Sequence, residues 1–238
     1  MVKLGISGAR GKMGERIIAL AKESGDFQII FGLERLDHPD IGKNINGVPI
    51  VESRDYIQQC DCLIDFSAAK AITDNLSYLT EFKKSAVIGI TGLDSSSQEK
   101  IKSAAKNIPI VFSPNMSVGV NILFRLLKEA AKSLAGYQAS IFEAHHIHKK
   151  DSPSGTAKKI AEIINGYDFN IKVEDIEAKR EDEIVGDHKV VFESDLDKLE
   201  LSHSAKTRDI FVQGALVAAS WVKGKPAGLY SMEDVLGK

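Results

Sequence analysis

The sequence predicts an α/β chain in two parts, and three observations carry that expectation. The first is a strand–glycine turn–helix–strand–acid unit at the start of the chain. The second is a series of short apolar strands in the first half, each ending in small or polar residues, with helical segments between them. The third is a change of style near residue 116, where one helix and one strand give way to several further strands. Together they imply a doubly wound, Rossmann-like dinucleotide-binding domain over 1–115 and 209–238. An α+β domain with an open mixed sheet is expected over 116–208.

The elements follow in order. Val2–Ser7 is a short apolar strand, and Gly8-Ala-Arg-Gly11-Lys-Met-Gly14 follows at once. Helical spacing runs over 15–22, a second strand over 28–33, and that strand ends at Glu34-Arg35. Glycines in such a turn let the backbone approach a pyrophosphate, whose charge faces a helix N-terminus. Glu34 can accept hydrogen bonds from ribose hydroxyls, whereas Arg35 can meet a 2′-phosphate, so NADH and NADPH both stand. The turn is irregular, with Arg10 where the strict fingerprint has its second glycine. A plain tight turn in another α/β fold is the rival reading. Residues 36–50 read as a solvated connecting loop.

Three more strands are expected at 62–66, 86–90 and 110–112, with helices at about 69–83 and 94–106. Their ends carry Asp65-Phe-Ser67, Thr91-Gly92 and Ser113-Pro-Asn-Met-Ser117. In a doubly wound sheet such ends face one crevice, which makes Gly89, Thr91 and Asn115 candidates for the nicotinamide side. Next, Ser117 is a plausible N-cap of a helix with its apolar stripe on Val120, Leu123, Leu126, Leu127, Ala130 and Leu134. A strand is expected over 139–146, a helix from Ser154 to about Asn165, and strands near 171–179, 184–193 and 197–204. A helix at 208–223 and a short one at 231–236 close the chain. No segment remains to cover the second face of the later sheet, which implies a homo-oligomer.

The net charge of −2 gives no basic field for nucleic acid. No signal peptide or membrane span is visible, and the two cysteines, Cys60 and Cys62, suggest a reducing, cytoplasmic setting.

The chemistry concentrates in residues 143–157, Glu-Ala-His-His-Ile-His-Lys-Lys-Asp-Ser-Pro-Ser-Gly-Thr-Ala. His145, His146, His148, Lys149 and Lys150 precede a helix start at Ser154-Gly-Thr156. Histidine and lysine can give a proton near neutral pH, and free N–H groups at a helix start hold an anion. An acidic small molecule, bound and protonated here, fits both. A metal site using the histidines and Glu143 is the first rival. Neighbouring lysines repel a cation, and His145 and His146 face opposite sides of a strand. A solvated charged loop is the second rival. No serine-hydrolase elbow is present.

On this block the chain resembles the 4-hydroxy-tetrahydrodipicolinate reductase (dihydrodipicolinate reductase) family, whose signature reads E-x-H-H-R-x-K-x-D-x-P-S-G-T-A. Gly8–Gly14, Val87–Gly92, Asn115–Asn121 and Gly228–Leu236 are also similar, so the resemblance spans essentially the whole chain. It implies NADPH or NADH as cofactor, a dicarboxylate substrate in lysine and diaminopimelate biosynthesis, and a homotetramer built through the central domain. By resemblance, His145 and Lys149 are the catalytic proton-transfer pair, and His146, Gly155 and Thr156 bind substrate. Gly8, Ala9, Arg10, Gly11, Lys12, Met13, Glu34, Arg35, Gly89, Ile90, Thr91, Ser113, Pro114, Asn115 and Met116 line the cofactor. No metal is expected, and domain closure would exclude water. The chain departs from the family at Ile147 (usually Arg), Ile90 (Thr), Met116 (Phe) and Arg10 (Gly), and its loop after Arg35 is short. These positions bear on cofactor preference and substrate affinity. Another two-domain dehydrogenase, a non-catalytic nucleotide sensor and a structural protein are the rival classes. The first would not need the double histidine and Lys149 beside Ser-Gly-Thr, and the second could lose Lys149 without penalty.

Overall fold

The computed structural model describes residues 1–237. The chain divides into two compact units, Met1–Ser117 joined by the segment from Phe211 onward, and Val118–Ile210. In the first unit, β1 (Val2–Ser7) leads through the glycine turn into α1 (Lys12–Ser24) and β2 (Phe27–Leu33). Helix α1 buries Gly14, Ile17, Ile18 and Ala21, the i, i+3, i+4, i+7 face of an amphipathic helix. It stops at Gly25, whose φ of 72° is the left-handed cap that glycine adopts without strain.

The solvated loop expected over 36–50 is partly a hairpin, and that expectation is corrected. Strands β3 (Asn44–Ile45) and β4 (Val48–Val51) pair antiparallel around Asn46-Gly47, both with positive φ. Asn-Gly is the residue pair that a tight primed turn demands, and Val48 and Ile50 are buried from it. A 3-10 turn at Arg54–Gln59 then leads to β5 (Cys62–Asp65), α2 (Ala69–Glu81), β6 (Ser85–Ile88), α3 (Ser95–Ala104) and β7 (Pro109–Phe112). Every residue of β5 and β6 is buried, as parallel strands covered on both faces require.

The second unit opens with α4 (Val118–Ser133), followed by β8 (Gln138–His145) and α5 (Gly155–Asn165). The strand expected over 171–179 is shorter. A 3-10 turn occupies Val173–Asp175 and β9 is only Glu177–Arg180. Strands β10 (Gly186–Glu193) and β11 (Lys198–Ala205) complete a sheet of order β11-β10-β8-β9, mixed because β9 runs parallel to β8. Ile141, Val190 and Phe192 on one face pack with Leu123, Leu127, Ile160 and Ile164 of the two helices. The opposite face carries Ser140, Lys189, Glu193, Glu200 and Ser202, all exposed, around half-buried Phe142 and Val191.

The chain then returns through α6 (Asp209–Val222) to the first unit and adds β12 (Gly228–Tyr230) and α7 (Met232–Val235). Strand β12 pairs parallel with β7 and closes an eight-stranded sheet of order β12-β7-β6-β5-β1-β2-β4-β3. The central order places β2 and β5 on either side of β1, the reversal point at which such sheets bind ligands.

Candidate active site

On the helix-covered face of the second sheet, apolar and titratable rows lie side by side. Ile141 pairs with Val190, and Val190 with Leu201. One row further toward the carboxyl end of β8, the same positions are Glu143, His188 and His203. The next row brings His145 beside Arg180. Period two along a strand therefore puts Glu143 and His145 on one face, and both are buried, Glu143 completely.

The glutamate is the hub. One carboxylate oxygen meets Nδ1 of His145. The other accepts from Arg180 Nη2 at 2.9 Å and from the backbone N–H of Ser154 at 3.2 Å. Arg180 also donates to the Asp151 carbonyl at 2.5 Å, so β9 and the turn before α5 are fastened to the same carboxylate. The His188 ring stands edge-on to His145 with centroids 5.2 Å apart, and its Nε2 lies 3.3 Å from Ser154 Oγ. Burial depresses the His145 pKa, against the pull of Glu143. Burial, followed by the neighbouring His145, pushes His188 down to about 4. The ligand atoms of Glu143, His145 and His188 lie within 4.8 Å of one another, a spacing open to a cation. Arg180 already neutralises that carboxylate, and the cluster reads as proton-handling.

Lys149 pairs with Asp151 at 2.8 Å with its side chain 23% exposed. Its charged partner is thus an acid. Ser154 caps α5 by accepting from the Ala157 N–H at 3.2 Å. Gly155 and Thr156 form the helix's first turn, with open space beyond Gly155 where a Cβ would stand. His146 leaves the strand: its N–H donates to Ile184 O at 2.7 Å, and its Nε2 sits 3.1 Å from an Arg208 nitrogen.

In the first unit, a cavity of about 740 Å³ is lined by Gly8, Arg10, Gly11, Glu34, Arg35, His38, Ser67 and Lys70, among others. Gly8 has a φ of 75°. A Cβ on Gly14 would stand 2.1 Å from the Gly8 carbonyl oxygen, so this position holds the turn against the helix. Glu34 is fixed by the Arg10 N–H at 2.7 Å and the Arg35 N–H at 3.3 Å. The Arg10 guanidinium turns away to Asp40, at 2.8 Å, and to Glu15. Ala9 is buried in packing, while Lys12 and Met13 begin α1. Gly89, Ile90 and Thr91 follow β6, and Ser113, Pro114, Asn115 and Met116 follow β7. They occupy carboxyl ends of the sheet's strands and do not line the cavity around Glu34. Sequence reasoning missed Arg180, His188 and Lys70, whereas Ser67 belongs to a strand end it placed at the crevice. His188 alternates with buried Val190 and Phe192 in β10, and that pattern was its only signal.

A doubly wound sheet with a glycine turn and an oriented acid, joined to a unit that holds a buried histidine–glutamate pair, defines a dinucleotide-dependent oxidoreductase. Family models narrow this class. The model for the N-terminus of dihydrodipicolinate reductase matches residues 2–116, and the model for its C-terminus matches residues 119–236. The chain belongs to the dihydrodipicolinate reductase family. It is 41% identical to a 4-hydroxy-tetrahydrodipicolinate reductase of Trichlorobacter lovleyi and 39% identical to one of Syntrophus aciditrophicus. Each alignment covers 100% of this chain and 99% of the relative. A dipicolinate-bound dihydrodipicolinate reductase from Paenisporosarcina sp. TG-14 shares the fold with a TM-score of 0.83 at 20% identity, over 97% of both chains. Among the described residues, no helix is long and apolar enough to cross a membrane.

Proposed function

We propose that this chain reduces 4-hydroxy-tetrahydrodipicolinate to tetrahydrodipicolinate with NADH or NADPH, in lysine and diaminopimelate biosynthesis. The observation that carries the reading is the buried Glu143–His145 pair, beside Lys149 and the first turn of α5. It puts proton donors next to a carboxylate-binding helix start.

Residues 1–115 and 209–238 form the cofactor domain and 116–208 the substrate and oligomerisation domain. The cofactor residues fit their task. Gly8 and Gly11 let backbone approach the pyrophosphate, and Glu34, already oriented by the Arg10 N–H, presents an oxygen to a ribose hydroxyl. Ala9, Lys12, Met13 and Arg35 complete that end. Gly89, Ile90, Thr91 and Ser113–Met116, at the ends of β6 and β7, serve the nicotinamide side. A nicotinamide held there would supply a hydride to the conjugated cyclic imine. Gly155 and Thr156 hold a substrate carboxylate with N–H groups and a hydroxyl, and His146 meets the other. Loss of the 4-hydroxyl as water forms that conjugated imine, and after hydride addition His145 and Lys149 supply the proton that the electron-rich ring carbon takes up. The exposed face around Phe142 and Val191 is the surface through which copies assemble, as a homotetramer in the cytoplasm.

The test generates substrate in place from pyruvate and aspartate semialdehyde with the preceding synthase. NADH and NADPH are run side by side and followed by nicotinamide absorbance. Substrate-dependent oxidation supports the reading. A folded protein that oxidises neither cofactor refutes it.

A further inference from the structure

We infer that Glu143 and Gly186 are positioning residues for His145: the carboxylate fixes which ring nitrogen carries the resting proton, and the missing side chain keeps the other nitrogen clear to act. The inference rests on the proposed proton-transfer role of His145 and extends it to two residues that lie against its ring.

The geometry is specific. Glu143 is fully buried and contacts Nδ1 of His145, and a carboxylate there accepts a hydrogen bond only if Nδ1 bears the proton. Nε2 is then the nitrogen that exchanges protons. When the imidazolium gives its Nε2 proton to substrate, the N–H electron pair stays on Nε2. The neutral ring keeps Nδ1–H on Glu143, and no further reactant is needed. A Cβ built on Gly186 would lie 2.9 Å from Nε2 and 3.3 Å from the neighbouring Cδ2. Gly186 opens β10 with no positive φ, so its backbone suits any residue. The absence of a side chain there serves His145, since the chain conformation does not demand it.

Glu143 is itself immobilised. Arg180 and the Ser154 N–H share one oxygen, and Arg180 reaches on to Asp151 O. One carboxylate thus sets the distance between the proton donor on β8 and the helix start that holds the substrate's charge. Around His145, Lys149 and Arg180 oppose protonation and His188 is coupled to it, while Glu143 favours it. Without the Glu143 charge, His145 would protonate only at lower pH, and the rate would fade at lower pH too. An ion pair that merely filled the core would move neither the tautomer nor the pH profile.

The experiment reads the ring directly. Long-range proton–nitrogen spectra of protein labelled with nitrogen-15 in histidine report the His145 tautomer and pKa without any turnover. Wild type is expected in the Nδ1–H form. Glu143→Gln is expected to lower the His145 pKa, move the activity profile to lower pH and cut kcat about 100-fold or more, with KM within about threefold. Glu143→Asp is expected to recover part of the rate. Gly186→Ala, which keeps the backbone, is expected to displace the Nε2 resonance and lower kcat in protein that thermal unfolding shows to be folded. An Nε2–H tautomer in wild type would overturn the inference. So would an unshifted ring and pH profile in folded Glu143→Gln or, if that variant does not fold, an unperturbed Nε2 resonance in Gly186→Ala. A wild-type protein that reduces nothing would refute the reductase reading alone, because the spectra decide the positioning claim independently.

Discussion

Replacing Gly14 with alanine is the sharpest structural perturbation of the nucleotide turn. The new Cβ would stand 2.1 Å from the Gly8 carbonyl oxygen, 2.7 Å from Ala9 Cα and 2.8 Å from Ala9 C. Ordinary contacts begin near 3.4 Å, so more than an ångström must be recovered. All three obstructing atoms are backbone, and no flexible side-chain tip can swing aside. Overpacking of this kind costs roughly 1–3 kcal/mol. Because the atoms that must move belong to the glycine turn, the displacement falls on the surface assigned to the pyrophosphate. If most of the cost appears in binding, the dinucleotide Kd rises about 5- to 150-fold, at about 1.4 kcal/mol per tenfold. Titration by NADH fluorescence measures this, with thermal unfolding in parallel to separate lost binding from lost fold. Gly11→Ala is the comparison, since its Cβ would meet only the Gly8 oxygen, at 3.2 Å. A Gly14→Ala protein with wild-type Kd and wild-type stability would refute the claim that close approach at this residue shapes the cofactor turn.

Two further outcomes follow from buried polar groups. Asp65, at the end of β5, accepts from Ser67 N at 2.9 Å, Ser67 Oγ at 2.5 Å and Asn75 Nδ2 at 2.7 Å, while burial pushes its pKa up. Asp65→Asn would oppose one amide to another and should cost about 1–3 kcal/mol, seen as a lower urea midpoint with an unchanged slope. His188 provides a pH test. With a folded pKa near 4, against an ordinary value near 6.5, the fold refuses a proton that the unfolded chain accepts. Stability should therefore fall as the pH drops from about 6.5 toward 4, by up to about 3 kcal/mol from this group. His188→Gln should flatten that limb. His145 and His203 are depressed in the same direction, so part of the slope should survive. An unchanged slope in the variant would show that His188 is not the buried neutral group described.

Much of the fold was legible because its signals are local. Parallel strands buried on both faces appear as unbroken apolar runs, and α1 and α4 show their stripes directly. The shorter pieces were not legible from periodicity. β3 has two residues and β12 three, too few for any pattern, and reading 36–50 as a loop passes over the Asn46-Gly47 turn signal. The core of the site was legible as a motif, because Glu143 to Thr156 is contiguous and its helix start is encoded by Ser154. Arg180 and His188 were not, since they lie 37 and 43 residues from Glu143 and His145. Only the register of β8 with β9 and β10 brings them in. The role of Glu143 was hidden for a related reason. Its i, i+2 spacing from His145 shows a shared face, but not that a half-buried arginine 37 residues away would pair with its carboxylate.

The central claim is that His145 and Lys149 protonate the reduced dicarboxylate. Its most direct test is a single-turnover experiment with enzyme in excess, NADH bound and freshly generated substrate added to wild type, His145→Gln and Lys149→Ala. The account predicts that both variants bind NADH with the wild-type Kd, since neither residue belongs to the nucleotide unit. It also predicts that hydride consumption slows by about 100-fold or more. Folded variants that turn over at the wild-type rate would contradict it, and the source of the proton would then have to be sought elsewhere on the chain.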